Sequence, residues 1–199
     1  MPPELIVATT SAYRLALLDR LGLRYRALAH RADERALEPS GPGATPEHIA
    51  LTLACAKAES LAGEFPDALV LGSDQVVALD GELLHKPGDF AGAMAQLRQM
   101  SGRTHRIVTA VALRHPGGRF DTHVDVHEMT MRALPDAALA AYVAADEPYD
   151  CAGSYKIEGL GIALFERAAG TDYTGIIGLP LTALVTLLAR AGVHVLPQS

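Results

Sequence analysis

Residues 68–79, ALVLGSDQVVAL, hold a serine, a carboxylic acid and an amide between two apolar runs. AlaLeuValLeuGly at 68–72 has the length and aliphatic content of a buried strand, and ValValAlaLeu at 76–79 resumes it before the AspGly turn at 80 and 81. Asp74 therefore interrupts a buried run, at the point where an inner strand emerges. A carboxylate in that position coordinates a cation, orients a water, or caps a turn.

Working outward, LeuIleValAla at 5–8 reads as a second short buried strand. Ser11 then opens a helical pattern with Leu15, Leu18 and Leu21 on one face, closed by Gly22. Between His30 and Pro46, Pro39, Gly41, Pro42 and Gly43 stand among charged residues without periodicity, which predicts a loop. Ile49, Leu53, Ala56 and Leu61 mark another helix with Thr45 as its N-cap and Lys57 inside it. A helix near 89–100 precedes strand-rich sequence from about 104 to 132, folded into a hairpin at HisProGlyGly, 115–118. Residues 135–145 read as helix, 161–167 as strand, and 179–192 as an amphipathic closing helix with Pro180 in its first turn. Long antiparallel pieces beside an opening strand-helix unit predict a mixed, twisted α/β sheet with flanking helices rather than a purely parallel one. No repeat divides the chain, so residues 1–199 are expected to form a single domain.

Composition narrows the function. With 199 residues, 49% of them hydrophobic, the chain can bury one sizeable core or two small lobes around a cleft. A net charge of −6 argues against general nucleic-acid binding, which needs many Lys and Arg contacts to phosphates, so any phosphate site must be local. Cys55 and Cys151 are far apart and form no CxxC pair, as expected of reduced core thiols in a cytoplasm. The N-terminus lacks a basic, export-type leader, and no apolar stretch approaches the roughly 20 residues a membrane span requires. A soluble, cytoplasmic protein with no membrane partner is expected.

Four groups of residues suit phosphate or base chemistry. Thr9, Thr10 and Ser11 at a helix N-terminus, with Arg14 one turn on, make an anion site or else a plain N-cap with a surface arginine. Asp33 and Glu34 add carboxylates from the loop, a pair that elsewhere is a solvated surface feature. The only three lysines, Lys57, Lys86 and Lys156, stand against fourteen arginines, and Lys86 and Lys156 lie beside turns able to face a cleft. Glu158 sits in a Gly-punctuated segment where its two oxygens can accept from the N1 and N2 donors of a guanine. His123 and His127 fall on one face of a predicted strand and read as surface residues. His105 reads as a turn hydrogen bonder, and the histidines are too scattered for a zinc site.

The order of these blocks resembles the Maf family of nucleotide pyrophosphatases from Leu5 to about Leu188. The blocks are LeuIleValAlaThrThrSer with Arg14, AspGlu at 33 and 34, AlaLysAla at 56–58, GlySerAspGln at 72–75, LysPro at 86 and 87, SerGly with His105, GlySerTyrLysIleGluGly at 153–159, and GlyLeuProLeu at 178–181. Within the family, Gln75, Glu158 and Tyr13 look like the branch that hydrolyses 7-methyl-GTP rather than dTTP or UTP.

The resemblance implies a fold similar to inosine triphosphatases and cleavage between the α and β phosphates with a Mg²⁺ or Mn²⁺ cofactor. Asp74 would accept the proton of the attacking water. Thr10, Ser11, Arg14, Lys57 and Lys86 would bind the phosphates, Glu34 with Asp74 the metal, and Tyr13, Gln75 and Glu158 the base. A nucleotide partner and a homodimer are also implied. Two alternatives stand beside this reading: dTTP/UTP hydrolysis on the same scaffold, and a nucleotide-binding regulator of septum formation. The chain departs from the family pattern at Ala12 for a usual Pro, at Leu15 for a frequent second Arg, and at Thr174 and Gly175 near a frequent Asn, whose role falls to Asp172 or Thr174.

Overall fold

The structure, a computed structural model, describes residues 3–37, 39 and 44–197. In chain order it places β1 (Leu5–Ala8), α1 (Ala12–Asp19), β2 (Arg26–Leu28), α2 (Glu34–Leu37), α3 (Pro46–Glu59), β3 (Leu69–Leu79), β4 (Glu82–Leu83) and α4 (Phe90–Met100). There follow β5 (Thr104–Arg114), β6 (Phe120–Met131), α5 (Asp136–Asp146), a 3-10 turn (Leu160–Leu164), β7 (Phe165–Ala169), α6 (Tyr173–Ile177) and α7 (Leu181–Arg190).

The strands pair in the order β2-β1-β3-β5-β6-β7, with β4 also on β3, giving a seven-stranded sheet. β1 runs parallel to both β2 and β3, whereas β4 on β3 and β7 on β6 are antiparallel. The expected mixed α/β sheet with flanking helices is therefore the fold. The chain divides into two compact units. The first comprises residues 1–75, 109–125 and 172–199, the second 76–108 and 126–171.

In the first unit the two-residue period of β1 and β3 dictates which helices cover which face. Leu5, Val7, Leu69 and Leu71 share a core with Leu17 and Leu18 of α1 and Leu184, Leu187 and Leu188 of α7. Ile6, Ala8, Ala68 and Val70 point the other way, onto Ala58 of α3 and Leu61. The register Leu5↔Leu69, Ile6↔Val70, Val7↔Leu71 keeps both sets aligned. A strand buried on both faces reads as a continuous apolar run, which is why the sequence announces it so clearly.

In the second unit, α4 and α5 bury Ala93, Met94, Leu97, Leu139 and Val143. Asp89 caps α4 by accepting from the Gly92 amide at 2.7 Å. Asp80 and Gly81 both take positive φ, as a two-residue hairpin between β3 and β4 demands. Among the described residues no helix is long and apolar enough to cross a membrane.

Several expectations are corrected. The two short strands at 68–72 and 76–79 are one strand, so Asp74 lies in its middle and not at an end. The loop from His30 to Pro46 contains the helical turn α2, capped by Asp33, whose Oδ1 accepts from the Ala36 amide at 3.2 Å. Gly41, Pro42 and Gly43 of that loop lie outside the described residues. The strand expected at 161–167 begins only at Phe165, after the 3-10 turn. His127 is buried, not on the surface, because Gly170 lies against its ring so closely that a Cβ there would fall 2.0 Å from His127 Cδ2. His105 is also a core residue rather than a turn residue: it is 1% exposed and shares a 2.9 Å hydrogen bond with the Tyr155 hydroxyl. Cys55 and Cys151 are free thiols, half-buried rather than fully enclosed.

Candidate active site

The alternation along β3 continues through its polar residues. Val70, Gly72 and Asp74 face α3, and Leu71, Ser73 and Gln75 face the opposite layer. Gly72 is what brings α3 close. A Cβ at that position would lie 2.1 Å from the Ala54 carbonyl oxygen and 2.8 Å from the Ala58 nitrogen, so only glycine lets this helix backbone rest on the strand. Lys57, between those two residues in sequence, is thereby delivered to Asp74 one step of the pleat further on. Its Nζ donates to Asp74 Oδ1 at 2.6 Å, and both residues are 5% exposed.

The same ammonium stands 3.2 Å from Oε2 of Glu34, and Oε1 of Glu34 lies 3.2 Å from His30 Nε2. Burial pushes the Asp74 carboxyl above its ordinary range; Lys57 and Arg14 oppose this, and Glu34 adds to it. Burial likewise lowers the His30 pKa, helped by Lys57 and opposed by Glu34.

Arg14 enters from α1. Its Nε donates to the Gly178 carbonyl at 3.0 Å, and Ser73 Oγ donates to the same oxygen at 3.1 Å. Burial lowers the Arg14 pKa while the charges of Asp74 and Glu34 raise it. Ser11 occupies the N-cap position of α1, but its side chain makes no capping bond; its amide instead donates to Thr9 Oγ1 at 3.1 Å. The expected side-chain cap is thus absent at Ser11, and Thr10 beside it is exposed. Tyr13 is half-buried in the first turn of α1.

The amide nitrogen of Gln75 is committed to the protein, at 2.9 Å from each of Thr109 Oγ1, the Gly175 carbonyl and the Ile176 carbonyl. Gln75 therefore holds α6 in place. The other end of α6 is fixed by Asp172, whose Oδ1 accepts from the Thr174 amide and hydroxyl and whose Oδ2 accepts from the Thr182 amide and hydroxyl. Burial raises the Asp172 pKa, but those four bonds together outweigh it and hold the carboxyl below its usual range. Asp172 thus anchors the start of α6 to the first turn of α7.

The structure brings Arg14, Glu34, Lys57, Asp74 and Gln75 together within the first unit, and adds His30, Ser73, Thr109 and Gly178, which sequence reasoning did not single out for the site. The one sequence signal for His30 is its four-residue spacing from Glu34. Lys86 and Glu158 belong to the second unit, where both are exposed. Lys156, also there, is a structural lysine: its Nζ donates to the Asp146 carbonyl at 2.9 Å, at the C-terminus of α5.

Two acids and two cations, with Lys57 and Asp74 closed to water and Glu34 open to it, suit the binding of an anion together with a compensating cation. Among the described residues no group of three or more His, Cys, Asp or Glu side chains is placed to hold a metal. The donor set still fits a hard divalent ion. Asp74 and Glu34 present two carboxylates to one point, which the Lys57 ammonium bridges, and Mg²⁺ characteristically takes one or two carboxylates and completes its shell with water and phosphate.

Residues 4–191 match the family model described as Maf-like protein. A protein of Xanthomonas campestris pv. campestris named 7-methyl-GTP pyrophosphatase is 46% identical over 96% of this chain and 98% of its own length. One of Bordetella pertussis with the same name is 45% identical over 96% of this chain and 94% of its own. A solved HAM1 protein from Coxiella burnetii, 15% identical, superposes with a TM-score of 0.51 over 96% of this chain and 100% of that one, a likeness of fold. The family match and the identity to these relatives show that the chain belongs to the Maf family.

Proposed function

We propose that this protein is a nucleoside triphosphate pyrophosphatase that hydrolyses 7-methyl-GTP to 7-methyl-GMP and pyrophosphate, removing a modified nucleotide from the pool. The observation that carries the reading is the buried Asp74 carboxylate held against Lys57, beside Arg14 and Glu34. The names of the relatives, matched over nearly their whole length, supply the substrate.

Asp74 accepts a proton from water as its oxygen attacks the α phosphorus. The bond from that phosphorus to the bridging oxygen breaks, and pyrophosphate leaves with the electron pair. A carboxyl whose pKa is raised by burial is a better proton acceptor than an exposed one. Arg14 and Lys57 neutralise phosphate oxygens, and the fixed Nε bond to Gly178 leaves the far edge of the guanidinium for that task. Thr10 and Ser11 contribute at the α1 N-terminus, where the positive end of the helix dipole favours an anion. When bound through Glu34 and Asp74, Mg²⁺ or Mn²⁺ supplies further positive charge at the triphosphate.

Lys86 and Glu158 are assigned by the family resemblance to the phosphates and the base. Methylation at N7 makes guanine cationic, which favours contact with an aromatic ring such as that of Tyr13. Gln75 serves base selection through the α6 backbone that it holds. The enzyme acts as a single Maf-like domain in the cytoplasm, as a homodimer.

Pyrophosphate release from 7-methyl-GTP, GTP, dTTP, UTP and CTP, each with Mg²⁺ or Mn²⁺, tests the reading. The highest kcat/KM is expected for 7-methyl-GTP. A pyrimidine as best substrate would overturn the base assignment, and tight nucleotide binding without pyrophosphate release would replace the enzyme by a regulator.

A further inference from the structure

Glu34 is a long, flexible side chain in the first turn of a four-residue helix, 46% exposed, and a helix that short has little stability of its own. Nothing in that local setting fixes a carboxylate well enough to hold a cation, yet both its oxygens are held. Oε2 meets Lys57 and Oε1 meets His30 Nε2, each at 3.2 Å. The two contacts differ in what happens when a cation arrives. Lys57 sits between Asp74 and Glu34, nearer to Asp74, so a cation held by both carboxylates would take its place and release its hold on Glu34. The contact from His30 is on the other oxygen and would be left in place by that exchange.

His30 is also anchored to the helix that carries Lys57. The amide of the next residue, Arg31, donates to Ser60 Oγ at 3.0 Å, and that hydroxyl donates to the Lys57 carbonyl at 2.7 Å. Arg31 further pairs with Glu64. The backbone at 30 and 31 is therefore tied to the C-terminal end of α3, and the imidazole, 24% exposed, projects from that tie onto Glu34.

We propose that His30 is a positioning residue for the metal-binding carboxylate of Glu34, keeping one oxygen fixed while the other exchanges the Lys57 ammonium for a divalent cation. The inference rests on the reading that Glu34 and Asp74 hold that cation. Its signature is metal affinity, with little effect on folding.

The test is Mn²⁺ binding to the full-length protein, followed by loss of the paramagnetic resonance signal of aqueous Mn²⁺, for wild type, His30→Ala, His30→Gln and Glu34→Gln, with Tm measured alongside. Glutamine places an amide N–H where the imidazole Nε2 stands. His30→Ala is expected to weaken Mn²⁺ binding about tenfold or more, the usual effect of removing a partner of a metal ligand, at unchanged Tm. His30→Gln is expected to restore most of it. Wild-type affinity in His30→Ala together with weakened binding in Glu34→Gln overturns the role of His30 alone. Unchanged affinity in both overturns the metal reading beneath it. Weakening in His30→Ala that glutamine does not rescue, or that comes with a lowered Tm, reduces His30 to a packing residue and also overturns the proposal.

Discussion

The ammonium of Lys57 lies 2.6 Å from the Oδ1 oxygen of Asp74, with both side chains closed off from water. The pair is made possible by Gly72, two residues before Asp74 on the same face of β3, which lets the α3 backbone approach. Most of the expected behaviour of the protein follows from this local construction.

Asp74→Asn keeps the shape and removes the charge. Burial raises the Asp74 pKa, so ionisation is less favourable in the folded than in the unfolded chain. The sign follows: the contribution of this group to stability is complete below its unfolded value of 3.8 and is lost as pH rises through the raised folded value. Lys57 retains Glu34 as a partner in the variant. Asp74→Asn is therefore expected to melt at neutral pH no lower than wild type, with the difference closing toward pH 3.8. Thermal melts of both proteins across pH check this, and a large drop in Tm at pH 7 contradicts it.

Gly72→Ala places a methyl group against the Ala54 carbonyl and the Ala58 amide, both backbone atoms that cannot rotate away. Helix α3 must lift, at a stability loss of about 1–3 kcal/mol. Lys57 moves with it, and a displacement of about 1 Å at a reacting centre lowers turnover on the order of a hundredfold. Denaturant melts and pyrophosphate-release kinetics measure the two effects separately.

Arg14→Lys retains the charge but loses both the Nε donor to Gly178 and the planar fork. KM for the nucleotide is expected to rise about tenfold, since a charged hydrogen bond is worth about 1.5–3 kcal/mol and lysine recovers part of it. Steady-state kinetics on purified Arg14→Lys decide the matter; an unchanged KM contradicts a phosphate contact at this residue.

His105 sets a pH limit on stability. Burial lowers its pKa from 6.5 to about 4. A base with a depressed folded pKa stabilises fully above 6.5, and that contribution is lost as pH falls toward about 4. At about 1.4 kcal/mol per pH unit, the interval amounts to about 3 kcal/mol. Urea melts should show stability declining between pH 6.5 and 4, and His105→Gln should flatten that slope even though it weakens the contact with Tyr155.

The legible parts of the sequence were those governed by local pattern. Residues 5–8 and the two apolar halves of β3 declare themselves by apolar runs, and α3 by Thr45, whose Oγ1 does accept from the His48 amide at 3.2 Å. Elements set by distant partners were not legible. β2 has three residues, largely exposed, and β4 has two, so neither shows a period. α6 has five residues including Gly175, and exists because Asp172, Gln75 and Thr109 grip its ends and carbonyls. His127 looked like a surface histidine because the residue that covers it, Gly170, is far along the chain. Arg14, Glu34, Lys57, Asp74 and Gln75, which the motifs singled out, lie together in the first unit, but Asp74 was expected at a strand end. The polar SerAspGln step is tolerated inside β3 only because Gly178, Lys57 and Gly175 are there to meet its three side chains.

Pyrophosphate release from 7-methyl-GTP with saturating Mg²⁺, compared between wild type and a folded Asp74→Asn protein, bears most directly on the proposed chemistry. Removal of the proton acceptor is expected to lower kcat by about a hundredfold to ten-thousandfold. Turnover within a few-fold of wild type would show that some other group takes the proton, and would contradict the role given to Asp74.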